Sequence, residues 1–154
     1  MAVPENVVKT SDFDFFSQEE AEVFDNTVGI KRRHIAPDNM CASDMCQAAA
    51  EKLLEELGWE RDSIDVLLFE SVTGDYRTPP TSCILQDRLS LSENCFCMDI
   101  PMGCCGCMYA ITVAGNLLTT GNVKRALLLI GDTALRMGSM KDKSRVCLLY
   151  TSPS

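Results

Sequence analysis

Apolar and polar residues along this chain change period several times, and each change marks an element. The first twenty-five residues are polar and mixed, and Ser17-Gln18-Glu19-Glu20 reads as the capping box of a short helix holding Val23 and Phe24. A compact segment, 29–36, predicts a strand that ends at the turn Pro37-Asp38-Asn39. The clearest helix follows: Ser43 or Asp44 as N-cap, Gln47 completing a box from Asp44, one face of Cys46, Ala50, Leu53, Leu54 and Leu57, and Gly58 as stop. The unbroken run Ile-Asp-Val-Leu-Leu-Phe at 64–69 has the pattern of a strand covered on both faces. A turn-rich loop then leads to a shorter helix at 82–89 and a buried strand at 95–100. An uncharged helix is expected at 103–120, stopped by Gly121-Asn122, before a last apolar strand at 125–130. Strands alternating with helices predict an α/β layered fold.

No charge falls between 100 and 123, a length that raises the question of a membrane span. Pro101, Thr112, Asn116, Thr119 and Thr120 among glycines suit a helix packed within protein better, so no membrane association is expected. The net charge of −8 repels phosphate backbones, and with no basic stripe interleaved with aromatics nucleic acid is not an expected partner. Lys31-Arg32-Arg33 and the group Lys141, Lys143 and Arg145 are short basic clusters, read first as solvated faces. The start Met1-Ala-Val-Pro-Glu-Asn lacks a secretory pattern, so a reducing, cytoplasmic setting is expected for the nine cysteines.

Among those thiols Cys104 stands out, because it sits where the strand at 95–100 gives way through Pro101-Met102-Gly103 to the uncharged helix. A helix start presents unpaired N–H groups and the positive end of the macrodipole, which favour the thiolate, the nucleophilic form. Cys104 and Cys107 also form a C-x-x-C pair, so a redox or metal-binding thiol module is a second reading. Zinc sites usually need a further pair or histidines, and the single histidine, His34, is distant and reads as structural. Cys46, Cys83, Cys95 and Cys97 read as small buried residues. Met102, Met108 and Tyr109 could line an acyl channel, with core filling as the commoner role.

Four segments carry a resemblance. They are Val28-Gly29-Ile30-Lys31-Arg32-Arg33-His34-Ile35-Ala36, the strand around Ile64-Asp65, the loop Tyr76-Arg77-Thr78-Pro79-Pro80-Thr81-Ser82-Cys83-Ile84-Leu85-Gln86, and Asp99-Ile100-Pro101-Met102-Gly103-Cys104-Cys105-Gly106-Cys107-Met108-Tyr109-Ala110. Together, over about residues 4–145, they resemble the amino-terminal half of a thiolase-fold condensing enzyme, β-ketoacyl-acyl-carrier-protein synthase III. The resemblance implies a layered α-β-α thiolase-like fold with a mixed sheet and a buried central helix starting near Cys104. It implies Cys104 as the catalytic nucleophile, Gly106 and Lys143 as substrate-binding positions, and Thr78 and Pro79 in a loop approaching the partner of a homodimer. Acyl-coenzyme A and malonyl-acyl-carrier protein would be the substrates, with acyl carrier protein as partner and no bound cofactor or metal. The product would enter fatty acid or polyketide biosynthesis.

Departures from the pattern concern the acyl donor. Val23 falls where many members carry an adenine-stacking tryptophan, Thr27 near a common arginine, and Cys107 replaces an aromatic. The family's catalytic histidine and asparagine lie in a second half, so the chain by itself is expected to turn over slowly or not at all. It could then serve only for packing and dimerisation. The family's first core strand would precede Val3 and is not expected here. The terminal Cys147-Leu148-Leu149-Tyr150-Thr151-Ser152-Pro153-Ser154 resembles a translated transposase adapter from sequencing libraries. The native domain is accordingly expected at 1–146, with 147–154 a foreign tail.

Overall fold

The computed structural model describes residues 1–137. They form two compact units, one of residues 1–2 and 41–132, the other of residues 3–40 with the segment that begins at Thr133. The basic group Lys141, Lys143 and Arg145 and the tail 147–154 lie outside the described residues.

The larger unit is built on a parallel three-stranded sheet. Its strands β3 (Val66–Glu70), β4 (Phe96–Ile100) and β5 (Ala126–Ile130) lie in the order β4-β3-β5, with Val66 opposite both Phe96 and Ala126. The central strand is sealed on both sides, all five residues being at most 2% exposed. Its period of two sorts them. Leu67 and Phe69, with Leu127 and Leu129, meet Ala42, Cys46, Ala50 and Leu54 of α2 (Ala42–Leu57) and Leu85 of α3 (Thr81–Arg88). Val66 and Leu68 face the other way, onto Ala110 and Ala114 of α4 (Gly106–Leu118). Helices therefore cover both faces of the sheet, the α-β-α layering that the family resemblance implied.

The smaller unit pairs β1 (Val7–Lys9) antiparallel with β2 (Arg32–His34), Val8 opposite Arg33, and carries α1 (Gln18–Val28). The capping box expected at Ser17 is present: the Glu20 N–H donates to Ser17 Oγ (3.2 Å), and the Ser17 N–H to Glu20 Oε2 (3.0 Å). Arg33 departs from the solvated reading. Only 5% exposed, it donates through Nη1 to Thr10 Oγ1 (2.9 Å) and lies over the Phe24 ring (5.4 Å). His34 Nδ1 donates to the Pro4 carbonyl at 2.6 Å, a structural role.

Several boundaries differ from expectation. The strand expected at 29–36 shrinks to three residues, because Gly29, at φ +81°, closes α1 in the left-handed region. β1 was invisible in a polar stretch, since a three-residue strand has no readable period. The α2 helix starts earlier than Ser43, with Cys41 as N-cap: Asp44, three residues on, accepts the Cys41 N–H at 2.7 Å, and Gln47 bonds Glu51 instead of completing a box. Leu53 and Leu57 lie outside the buried stripe, at 41% and 48% exposed. β3 starts two residues later than expected, since Asp65 turns aside to accept the Lys124 and Arg125 N–H groups at 2.7 and 3.0 Å. Among the described residues, parallel and antiparallel strands occupy separate sheets in place of one mixed sheet.

The uncharged helix needs the largest revision. Residues Gly103–Cys105 form a 3₁₀ turn, and α4 proper begins at Gly106. Only its Gly106, Ala110 and Ala114 stripe is buried, while Met108, Tyr109 and Ile111 are half or more exposed, so a buried central helix is not what these residues form. The stripe is made of small residues because the helix backbone lies close on the sheet. No helix among the described residues is long and apolar enough to cross a membrane.

Candidate active site

The carboxyl ends of parallel strands open onto the loops that most often hold ligands in such sheets. Here those ends are Glu70, Ile100 and Ile130. Beyond Ile130, Asp132 gathers the loop that follows β3. Its Oδ1 accepts the Val72 N–H (2.8 Å), Ser71 Oγ (2.9 Å), Thr73 Oγ1 (3.0 Å) and the Thr73 N–H (3.2 Å). These bonds tie two of the three strand ends together.

The third strand end carries the thiol. After β4, the chain turns through Gly103, whose φ of +60° lies in the left-handed region where a Cβ is strained. Cys104 follows in the middle of the 3₁₀ turn, exposed, one residue before the N-cap of α4. Cys105 is exposed as well, its thiol directed at the Met102 carbonyl (3.5 Å), and Cys107 is half-buried. Both Cys104 and Cys107 are free thiols.

Gly106 is fixed by contact. A Cβ there would overlap Glu70 Oε1 and Cδ and lie 2.6 Å from Glu70 Cγ, so the first turn of α4 packs directly on the last side chain of β3. Glu70 is 2% exposed, and Oε1 has no hydrogen-bond partner. Burial pushes its carboxyl above the ordinary range, the nearby Asp132 charge adds to this, and the Gly103 backbone N–H pulls the other way. Sequence reasoning passed over Glu70; its one signal was a charge closing an otherwise apolar run.

Burial makes three other thiols less acidic. Burial, then the charges of Asp132, Asp75 and Glu70, push the Cys46 thiol up to about 12. Cys97 is likewise pushed up to about 12, by burial first, and Cys95 is raised for the same reason. Cys83 contradicts its expected burial. It faces solvent from α3, because the buried positions of that short helix are Thr81, Ser82 and Leu85. Among the described residues no three His, Cys, Asp or Glu side chains are grouped to hold a metal ion.

Asp99, within the segment around the thiol, has a structural role that the sequence did not disclose. Its two oxygens accept the Thr81 and Ser82 N–H groups, each at 2.8 Å, and so cap α3. Thr78 and Pro79 are exposed in the loop before that helix, joined by a cis peptide bond. Met102, Met108 and Tyr109 line no core and are 44% to 65% exposed. In the smaller unit, Phe16, Glu19, Val23, Phe24, Thr27 and Val28 border an apolar groove of about 560 Å³.

The sequence pattern of the 3-oxoacyl-[acyl-carrier-protein] synthase III family matches residues 98–151, the stretch that begins in β4 and contains Cys104. The β-ketoacyl-[acyl-carrier-protein] synthase III of Xanthomonas oryzae pv. oryzae is 32% identical over 148 residues, which are 96% of this chain and 45% of that protein. Among solved structures, a 3-oxoacyl-(acyl-carrier protein) synthase from Burkholderia xenovorans superposes with a TM-score of 0.89 at 39% identity, over 96% of this chain and 42% of its own. The synthase III of Aquifex aeolicus follows at 0.85 and 25% identity, over 96% and 47%. The chain thus spans a little under half the length of the curated relatives it matches. By sequence and by fold, the chain is similar to the amino-terminal part of 3-oxoacyl-[acyl-carrier-protein] synthase III proteins and has their thiolase-like fold.

Proposed function

We propose that this chain carries the acyl-transfer site of a 3-oxoacyl-[acyl-carrier-protein] synthase III, with Cys104 as its nucleophile. The observation that carries the reading is the placement of Cys104: an exposed thiol on a glycine-turned 3₁₀ turn, between the carboxyl end of a parallel strand and the start of a thirteen-residue helix. In the proposed step the Cys104 thiolate attacks the carbonyl carbon of an acyl-coenzyme A thioester. The tetrahedral adduct then collapses, the carbon–sulfur bond to coenzyme A breaks, and the acyl group stays on Cys104 while coenzyme A leaves as the thiol with one proton. A thiolate suits both parts, being a good nucleophile and, in the next step, a competent leaving group. In the whole protein, a homodimer in the cytoplasm, malonyl-acyl-carrier protein would lose carbon dioxide and its carbanion would take the acyl group from Cys104. Gly106 allows the close packing beneath the thiol, and Lys143 would meet the coenzyme A nucleotide. The loop of Thr78 and Pro79 would meet the partner subunit.

The test is direct. After incubation with acetyl-coenzyme A and digestion, the acetyl mass is expected on the Cys104 peptide and to vanish in Cys104→Ala. Because His34, the sole histidine, is held on Pro4, this chain alone is expected to acylate without condensing. A label spread evenly over Cys83, Cys104 and Cys105 would sink the assignment. A Cys104–Cys107 disulfide of defined potential, with no acyl label, would put the thiol-redox reading in its place.

A further inference from the structure

We propose that Glu70 is a positioning residue for Cys104: its carboxyl group is wedged beneath the turn that carries the thiol and, by gaining or losing its charge, opposes or releases the helix field acting there. The proposal rests on the reading of Cys104 as the nucleophile. Three observations carry it. Glu70 is 2% exposed at the end of the central strand, with Oε1 buried and unpartnered. Its side chain fills the space that any residue larger than glycine would need at position 106, so it touches the first turn of α4. And the Gly103 backbone N–H, on the residue before Cys104, favours the charged form of the carboxyl group.

The physical consequence follows from where the charge sits. A helix start stabilises an anion through its free N–H groups and dipole, within about the first turn. Two anions competing for the same turn repel each other, so an ionised Glu70 would make the Cys104 thiolate less favourable, and a neutral Glu70 would leave the field to the thiol. Among the described residues, the ionisable groups whose charges act on or with Glu70 are Asp132 from beyond β5 and Cys46 from α2; α4 carries only Cys107 and Tyr109. The Asp132 charge and burial both favour the neutral acid, so the change of charge falls above the ordinary carboxylate range.

Iodoacetamide reads this without any acyl substrate, since the thiolate displaces iodide and the adduct is counted on the Cys104 peptide. Glu70→Gln keeps the shape and an acceptor for the Gly103 N–H but cannot ionise. Its Cys104 is expected to alkylate roughly three- to tenfold faster than wild type at neutral pH, with the gap closing in acid, while Cys83 on α3 is unchanged. An equal rate, or a ratio that does not vary with pH, overturns the proposal, because a purely space-filling Glu70 gives one or the other. If the variant does not fold, the wild-type profile decides. A rate that follows one ionisation throughout overturns it, and an added step below the thiol's own supports it. Failure of acetyl-coenzyme A to label Cys104, with the Glu70 dependence of alkylation intact, would remove the synthase reading and leave this one standing.

Discussion

Placement, not residue type, separates the cysteines. Cys46 and Cys97 are pushed up to about 12 because burial removes water from a would-be thiolate and neighbouring negative groups repel it. Cys104 and Cys105 meet solvent on a turn. Alkylation should therefore reach the turn cysteines and spare Cys46 and Cys97 until the protein unfolds, which peptide mass analysis at increasing urea would show. Asp65 illustrates the same logic for a carboxylate. The Lys124 N–H first, then the Arg125 N–H, hold its carboxyl below the ordinary value. A carboxyl lowered by folding adds stability that is present above its unfolded value and lost as pH falls through the folded one. Asp65→Ala should thus cost stability at neutral pH, with the difference from wild type fading below the ordinary aspartate range; a pH-independent difference would refute the role.

Each helix is stopped and started by chemistry that differs in its visibility. The α1 box is local, with Ser17 and Glu20 three residues apart, and could be read directly. The α3 cap is not, since Asp99 reaches it from β4, eighteen residues along the chain. Removing it by Asp99→Ala leaves two N–H groups without their carboxylate and should cost about 2 kcal/mol in urea unfolding, more than an exposed carboxylate would. The α4 helix carries no charge, so its charge pattern could not say which face would be covered. Contact with the sheet selects the Gly106, Ala110 and Ala114 stripe.

At the scale of the molecule, that selection leaves Met108, Tyr109 and Ile111 in solvent. Adjacent apolar side chains of this size favour association. Sedimentation should show concentration-dependent self-association that Tyr109→Glu weakens, whereas a strictly monomeric chain at all concentrations would argue against an adhesive α4 face. The larger unit keeps its own core on both sides of the sheet, and the smaller one has its own polar centre in Thr10, Asp25 and Arg33.

The order of the elements after β1, the α/β class, the capping box of α1 and the position of Cys104 between a strand and a helix were legible in the chain alone, because these rest on periods and neighbours within a few residues. The family resemblance was legible for the same reason, in continuous segments. Tertiary structure alone decided the rest. Glu70 lies thirty-six positions from Gly106 in the sequence, Asp132 about sixty from the loop it gathers, and Asp99 eighteen from the helix it caps. Such pairings depend on strand order and register, which no local pattern encodes, and they are what set the charge and shape around the thiol.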